Sequence, residues 1–341
     1  MANAANELPT KLLVRLSIGV GITAATSATY FYYKYRKQDP MPEEWLSVGT
    51  LEMLEIFPLK SGAPLELPDD TQLECEELGL RYQGVRDRAL MLVDIDNMMI
   101  TARGYPKMVL IKSKLITPTT LEINAPAMET LDLDFSKLAK EAPGIDIHTA
   151  VFGAKVDAMV CGEKYDKWFS RYILNRESGL RLVYYPYPKA AKPIDKDIAN
   201  EPYIKKEDTG AFNDATSYML MNLSSIDDLN KRLPSPVNPK QFRGNFYLKM
   251  VKDEPYAEDA YEWIKIGNEA VFRKVAPCRR CILPNINVDT GERDAENNPL
   301  KTLKTYRSFN KNPSPVLGIN MGLRQPGKVK CGDTIYISLK K

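Results

Sequence analysis

Apolar and polar residues alternate along much of this chain, and that two-residue period predicts strands. Residues 49–56 form the first such run, and 89–93 with 98–102 read as a hairpin around 94–97. Runs at 107–113, 121–125 and 129–135 follow. In the last, Leu131, Leu133 and Phe135 face one way and Asp132 and Asp134 the other. Residues 151–161 add more strand. The period then changes: Tyr165, Trp168, Phe169, Tyr172 and Ile173 recur at helical spacing and predict one apolar helix face, better suited to a core than to a cofactor. Residues 180–185 return to strand. The stretch 186–202, rich in proline, lysine and alanine, reads as a surface loop and marks the domain boundary.

The second half opens with a strand at 217–223. Ser225 with Asp228 three residues on predicts a capped helix running to Leu233. A hairpin is expected at 262–266 and 270–275 around Gly267-Asn268, a short helix at 301–307, and strands at 316–321 and 334–339. The expected class is mainly β with some α (α+β), in two β-rich units of sandwich or barrel type. Five segments result: a tail 1–15, an apolar segment 16–33, a linker 34–46, and units at 47–185 and 186–341.

Residues 16–33 carry no charge and are flanked by Lys11 and Arg15 on one side and Lys34, Arg36 and Lys37 on the other. At ~1.5 Å per residue they span roughly 27 Å, enough for a bilayer core. The aromatics Tyr30 to Tyr33 suit a membrane interface, so a transmembrane anchor is expected. The competing reading is a cleaved signal peptide with its cut near Ala28. The heavier basic flank follows the segment, which orients the large part toward the cytosol.

Composition narrows the picture. The 341 residues are 44% hydrophobic and carry a net charge of +3, from 47 basic and 44 acidic residues. Such a chain folds, and so even a balance argues against a nucleic-acid partner. Its five cysteines are odd in number and irregular in spacing, which predicts free thiols in a reducing compartment.

Candidate chemistry centres on Cys278-Arg279-Arg280-Cys281, a cysteine pair between strands with two cations in the gap. Adjacent positive charge favours a thiolate, so one sulfur is expected to have a lowered pKa. Structural zinc needs four ligands, yet the chain has no second such pair and one histidine, His148. A thioredoxin-like pair needs a helix to follow, and Ile282-Leu283-Pro284 does not start one. Two buried, packing thiols sit awkwardly beside two arginines. A single-thiolate site for a soft metal or sulfur group is the fourth reading. A cofactor with an anionic tail needs cations and hydroxyls elsewhere. Lys60-Ser61-Gly62, Arg86-Asp87-Arg88, Thr216-Ser217 and Arg243-Gly244-Asn245 are candidates.

Taken in order, Phe57-Pro58-Leu59-Lys60-Ser61, Arg86-Asp87-Arg88, Thr101-Ala102-Arg103, Phe242-Arg243-Gly244-Asn245, Cys278-Arg279-Arg280-Cys281 and Asp289-Thr290-Gly291 resemble the MOSC proteins that carry an N-terminal MOSC β-barrel domain. The resemblance is greatest to their membrane-anchored, amidoxime-reducing members and covers about residues 47–340. It implies an anchor helix followed by a barrel-like domain and a MOSC barrel. It also implies a molybdenum cofactor (a molybdopterin) with Cys281 as the protein ligand of the molybdenum. Lys60, Ser61 and Arg88 match positions that hold the pterin and its phosphate. Thr216, Ser217, Arg243 and Asn245 match the opposite side of the cleft, and Arg279 and Arg280 match residues beside the ligand. The implied activity is reduction of N-hydroxylated compounds (amidoximes, hydroxylamines, N-oxides). Electrons would come from cytochrome b5 and its NADH-dependent reductase, on the mitochondrial outer membrane or another cytosol-facing membrane. A sulfur-carrying, cofactor-sulfurase-like role is the alternative. The chain departs from the family pattern at Ala215 (acidic there), Gly244 (proline), Asn320 (tyrosine) and Arg279 (small). These departures bear on substrate range more than on the ligand set.

Overall fold

A computed structural model describes residues 39–141, 146–309 and 313–339. The apolar stretch 16–33 lies outside them. Among the described residues, no helix is long and apolar enough to cross a membrane.

Seven strands close into a barrel. Around it run Leu46–Leu54, Phe246–Met250, Tyr218–Asn222, Val316–Gln325, Ala270–Arg279, Tyr261–Ile266 and Thr334–Leu339, which pairs back to the first. Closure leaves no edge for another chain to pair with. Inward positions alternate along each strand, as Ile335 and Ile337 show. Tyr218, Phe246 and Phe272 fill the interior, with ring centroids 5.0–5.8 Å apart. One pair, Tyr218–Asn222 with Phe246–Met250, is parallel and so needs a crossover. The helix Leu223–Asn230 and the 3-10 turn Pro239–Phe242 supply it.

The N-terminal half holds smaller sheets. Five strands run in the order Asp146–Val151, Ala154–Val160, Leu180–Tyr184, Leu90–Asp94 and Met99–Ile100, and a single bridge from Met98 to Ala150 draws the two edges together. The helix Glu163–Leu174 buries Tyr165, Trp168, Phe169, Tyr172 and Ile173 as its spacing predicts.

Several expectations are corrected. The first strand, expected in the N-terminal unit, is a stave of the C-terminal barrel, and Gly327–Val329 pairs with Leu73–Glu76 in the opposite direction of exchange. A period of two identifies a strand but not its partner. Residues 106–110 form a 3-10 turn begun by Pro106, whose fixed φ suits a first helical position, and the strand starts only at Lys112. Asn222, not Ser225, caps the Leu223–Asn230 helix, by accepting from the Ser224 N–H at 3.0 Å. The Ser225 hydroxyl donates instead to the buried Glu258 carboxylate. The stretch 186–202 is not simply surface, because Lys192 within it is wholly buried.

Candidate functional site

A cavity of about 440 Å³ opens between the barrel end and the N-terminal loops. The 57–60 segment is zipped to 87–90 by main-chain bonds: Arg88 N to Phe57 O at 2.6 Å, Leu90 N to Pro58 O at 2.9 Å and Lys60 N to Leu90 O at 2.8 Å. Asp87, fully buried, clamps three segments. It accepts from the Phe57 N–H at 2.8 Å, from Asn213 Nδ2 at 3.2 Å and from the Arg88 guanidinium. That clamp delivers Lys60, Ser61 and Arg88 to one wall.

The opposing wall comes from the barrel. Arg243 ends the Pro239–Phe242 turn in the left-handed region (φ 57°). Its Nη1 donates to Gly62 O at 2.6 Å, and Arg88 Nη2 donates to Arg243 O at 3.0 Å. Both guanidiniums lie over the Phe57 ring, Arg88 at 4.8 Å and Arg243 at 4.2 Å from its centroid. Two cations at one ring repel each other. Burial first, then Arg88, pulls the Arg243 pKa down to about 9. Arg243 Nη2 is buried without a hydrogen-bond partner, as is Arg103 Nε. Native structures rarely leave such donors unmet.

Ser61, Arg88, Arg243 and Phe152 all line the cavity with positive φ. Strained residues concentrated at one cleft point to function there. Seven basic side chains line the cavity against three acidic ones, Asp195, Asp197 and Asp214. The excess and the unmet donors fit an anionic group.

Asp214, absent from the candidates read in the sequence, sits at the centre of this charge. It pairs with Lys60 and, at 3.4 Å, with Arg103. Its carboxylate opens onto the cavity, where the surrounding protein works to raise its pKa. Lys60, Arg103 and Arg88 outweigh that and hold it at about 2. Burial lowers the Lys60 pKa, with Asp214 opposing. Lys192 lies behind, donating to Asp214 O at 3.2 Å. The sequence signal for Asp214 was its place just before the Thr216-Ser217 pair.

Cys278 lies at the end of the Ala270–Arg279 strand and Cys281 just beyond it, and both are free and partly exposed. The expected lowered pKa is not found at Cys278: burial raises it, with Arg280 opposing only in part. Arg280 itself is held by groups of the barrel. Its Nε donates to Leu317 O at 2.8 Å and Nη1 to Phe242 O at 2.9 Å, and Nη2 reaches Leu317 O and the Met221 sulfur. Its donors are committed to the backbone, so it shapes the loop and does not reach out to a ligand. Arg279 is exposed at the rim. Among the described residues no three His, Cys, Asp or Glu side chains gather as for zinc.

The other candidates divide in the same way. Thr216 and Asn245 line the cavity, but their side chains bond main chain: Thr216 Oγ1 to Tyr218 O at 2.9 Å, and Asn245 Nδ2 to Glu55 O at 3.2 Å. Ser217 is not on the cavity wall. Its hydroxyl donates to Glu77 O at 2.8 Å, tying two sheets together.

Comparison with known proteins agrees with this architecture. Residues 48–176 match the MOSC N-terminal beta barrel domain and residues 207–336 the MOSC domain. The chain is 32% identical over 320 residues to mitochondrial amidoxime-reducing component 1 of Danio rerio, covering 93% of this chain and 92% of that one. It is 30% identical over 332 residues to mitochondrial amidoxime-reducing component 1 of Homo sapiens, covering 94% and 93%. To mitochondrial amidoxime reducing component 2 of Homo sapiens it is 30% identical over 298 residues, covering 85% and 83%.

Proposed function

The chain belongs to the family of MOSC-domain proteins that includes the mitochondrial amidoxime-reducing components, and from that premise we propose that it reduces N-hydroxylated compounds. It is a molybdenum-cofactor enzyme of the MOSC type. One observation carries the reading of the site: a buried arginine donor without a partner, Arg243 Nη2, in a cation-rich cavity that also contains a free cysteine, Cys281.

Arg243, Arg88 and Lys60 would hold the anionic end of the cofactor by charge-assisted hydrogen bonds. Cys281 would supply the protein sulfur. When bound, the cofactor supplies a two-electron centre for cleaving an N–O bond. The chain's own residues set the surroundings. Arg280 fixes the cysteine loop by gripping Leu317 and Phe242 carbonyls. Asp214, held at a pKa of about 2, is ionised at neutral pH and is no proton donor; it braces Lys60 and Arg103 on the cavity wall.

The reaction takes two electrons and two protons per N–OH group and releases amidine or amine with one water. In this reading electrons come from cytochrome b5 and its NADH-dependent reductase. The 16–33 segment would hold the chain on the mitochondrial outer membrane, cytosol-facing, where shared tethering raises effective concentration. The relatives' mitochondrial names and their near full-length match support this. The test is the full chain in vesicles with cytochrome b5, its reductase, NADH and benzamidoxime. One benzamidine per NADH is expected. A chain full of molybdenum that reduces no N-hydroxylated compound would reject the proposal.

A further inference from the structure

The Asp146–Val151 and Ala154–Val160 strands are joined by a two-residue turn, Phe152-Gly153, with φ of 49° and 84°. Two positive φ values define the hairpin turn that favours Asn-Gly. Phenylalanine at its first position is the strained choice. Core packing does not explain it. A Cβ added at Gly153 would meet nothing within 4 Å, so the turn tip stands clear of other elements, and Phe152 remains 36% exposed. Yet Phe152 lines the cavity. Its ring lies 4.1 Å from the Arg103 guanidinium and 5.4 Å from Lys60 Nζ. Arg103 is itself braced, by Asp214 at 3.4 Å and through its carbonyl, which accepts from Arg293. The ring is thus a fixed platform beside the charged centre, with part of its surface open to whatever enters.

Resting on the reading of the site as an N-hydroxyl reductase, we propose that Phe152 determines specificity, favouring flat, conjugated substrates over aliphatic ones that carry the same N–OH group. A conjugated ring gains an offset or edge-on stack against Phe152, backed by Arg103. An aliphatic chain gains only contact area. A platform already held by two cations loses little side-chain freedom when the substrate arrives.

The experiment measures binding as well as turnover. Benzamidoxime and acetamidoxime are titrated calorimetrically into molybdenum-loaded wild type, Phe152→Asn and Phe152→Tyr, and KM is measured for both compounds. Asparagine suits the turn, so the melting temperature of Phe152→Asn should hold or rise, which separates the result from misfolding. The preference for benzamidoxime over acetamidoxime should fall about three- to tenfold in Phe152→Asn and return in Phe152→Tyr. An unchanged preference, equal weakening of both compounds, or no preference in wild type would overturn the proposal. The binding arm keeps it separate from the proposed activity. Preferential binding that responds to Phe152 but leads to no reduction would sink the activity alone. Reduction of both compounds with no response to Phe152 would sink the specificity role alone.

Discussion

The cysteine loop and the cradle around Phe57 both carry arginines, and they use them in opposite ways. In the loop, Arg280 is turned inward and bonded to two backbone carbonyls and two methionine sulfurs. In the cradle, Arg88 and Arg243 lie over one buried ring, and Arg243 keeps a buried donor unmet. The first arrangement is complete without a ligand and the second is not. A cation next to a cysteine in sequence is therefore no guide to which cation binds the anion. What decides is whether the local backbone already satisfies its donors.

The largest effect expected separates the two sulfurs. Cys281→Ser should abolish reduction, because a hydroxyl largely protonated at neutral pH replaces a soft thiolate. Cys278→Ser should keep most activity, since burial raises that sulfur's pKa and disfavours the thiolate a metal ligand needs. Equal loss in both would point to a disulfide mechanism, which needs both sulfurs.

Next comes the completed arginine. Arg280→Ala leaves the Leu317 and Phe242 carbonyls without their donor and opens a void. It should cost about 2–4 kcal/mol of stability, read from the urea midpoint. A midpoint close to wild type would show that the loop does not depend on it.

The buried lysine behind the cavity should show itself in pH. Lys192 is buried, and its pKa is pulled to about 8, first by burial and then by Lys60. The unfolded chain keeps its proton to about 10.4. Between these values the unfolded state binds the extra proton, so stability of the cofactor-free protein should rise with pH from about 8 to 10.4. That increment is lost as pH falls through 8. Lys192→Met should flatten the slope, and an unaltered slope would place its origin elsewhere. The smallest effect is Phe57→Leu, which removes the ring that both guanidiniums lie over and should lower cofactor retention about two- to fivefold. Retention equal to wild type would make the ring only a spacer.

Much of this was legible in the chain. Alternation located most barrel strands, and the aromatic spacing located the Glu163–Leu174 helix face. Lys60, Ser61, Arg88, Arg243 and Cys281 do converge on one cavity. The rest depends on direction and partner, which a linear pattern does not encode. The strand Leu46–Leu54 pairs with Thr334–Leu339, almost three hundred residues away. The run 151–161 concealed a turn at Phe152-Gly153 whose glycine was the available signal. Asp214 went unnoticed because a lone acid in a loop looks solvated until Lys60 and Arg103 are brought to it by folding.

The central claim is that the cradle, not the arginine of the cysteine loop, holds the anionic cofactor. It is tested most directly by measuring molybdenum per chain and thermal stability for Arg243→Ala and Arg280→Ala side by side. Arg243→Ala should lose cofactor about tenfold or more, as removal of a charge-assisted bond implies, while the cofactor-free protein melts near the wild-type temperature. Arg280→Ala should melt well below it. Full molybdenum occupancy in Arg243→Ala, with its melting temperature the one that collapses, would contradict the account.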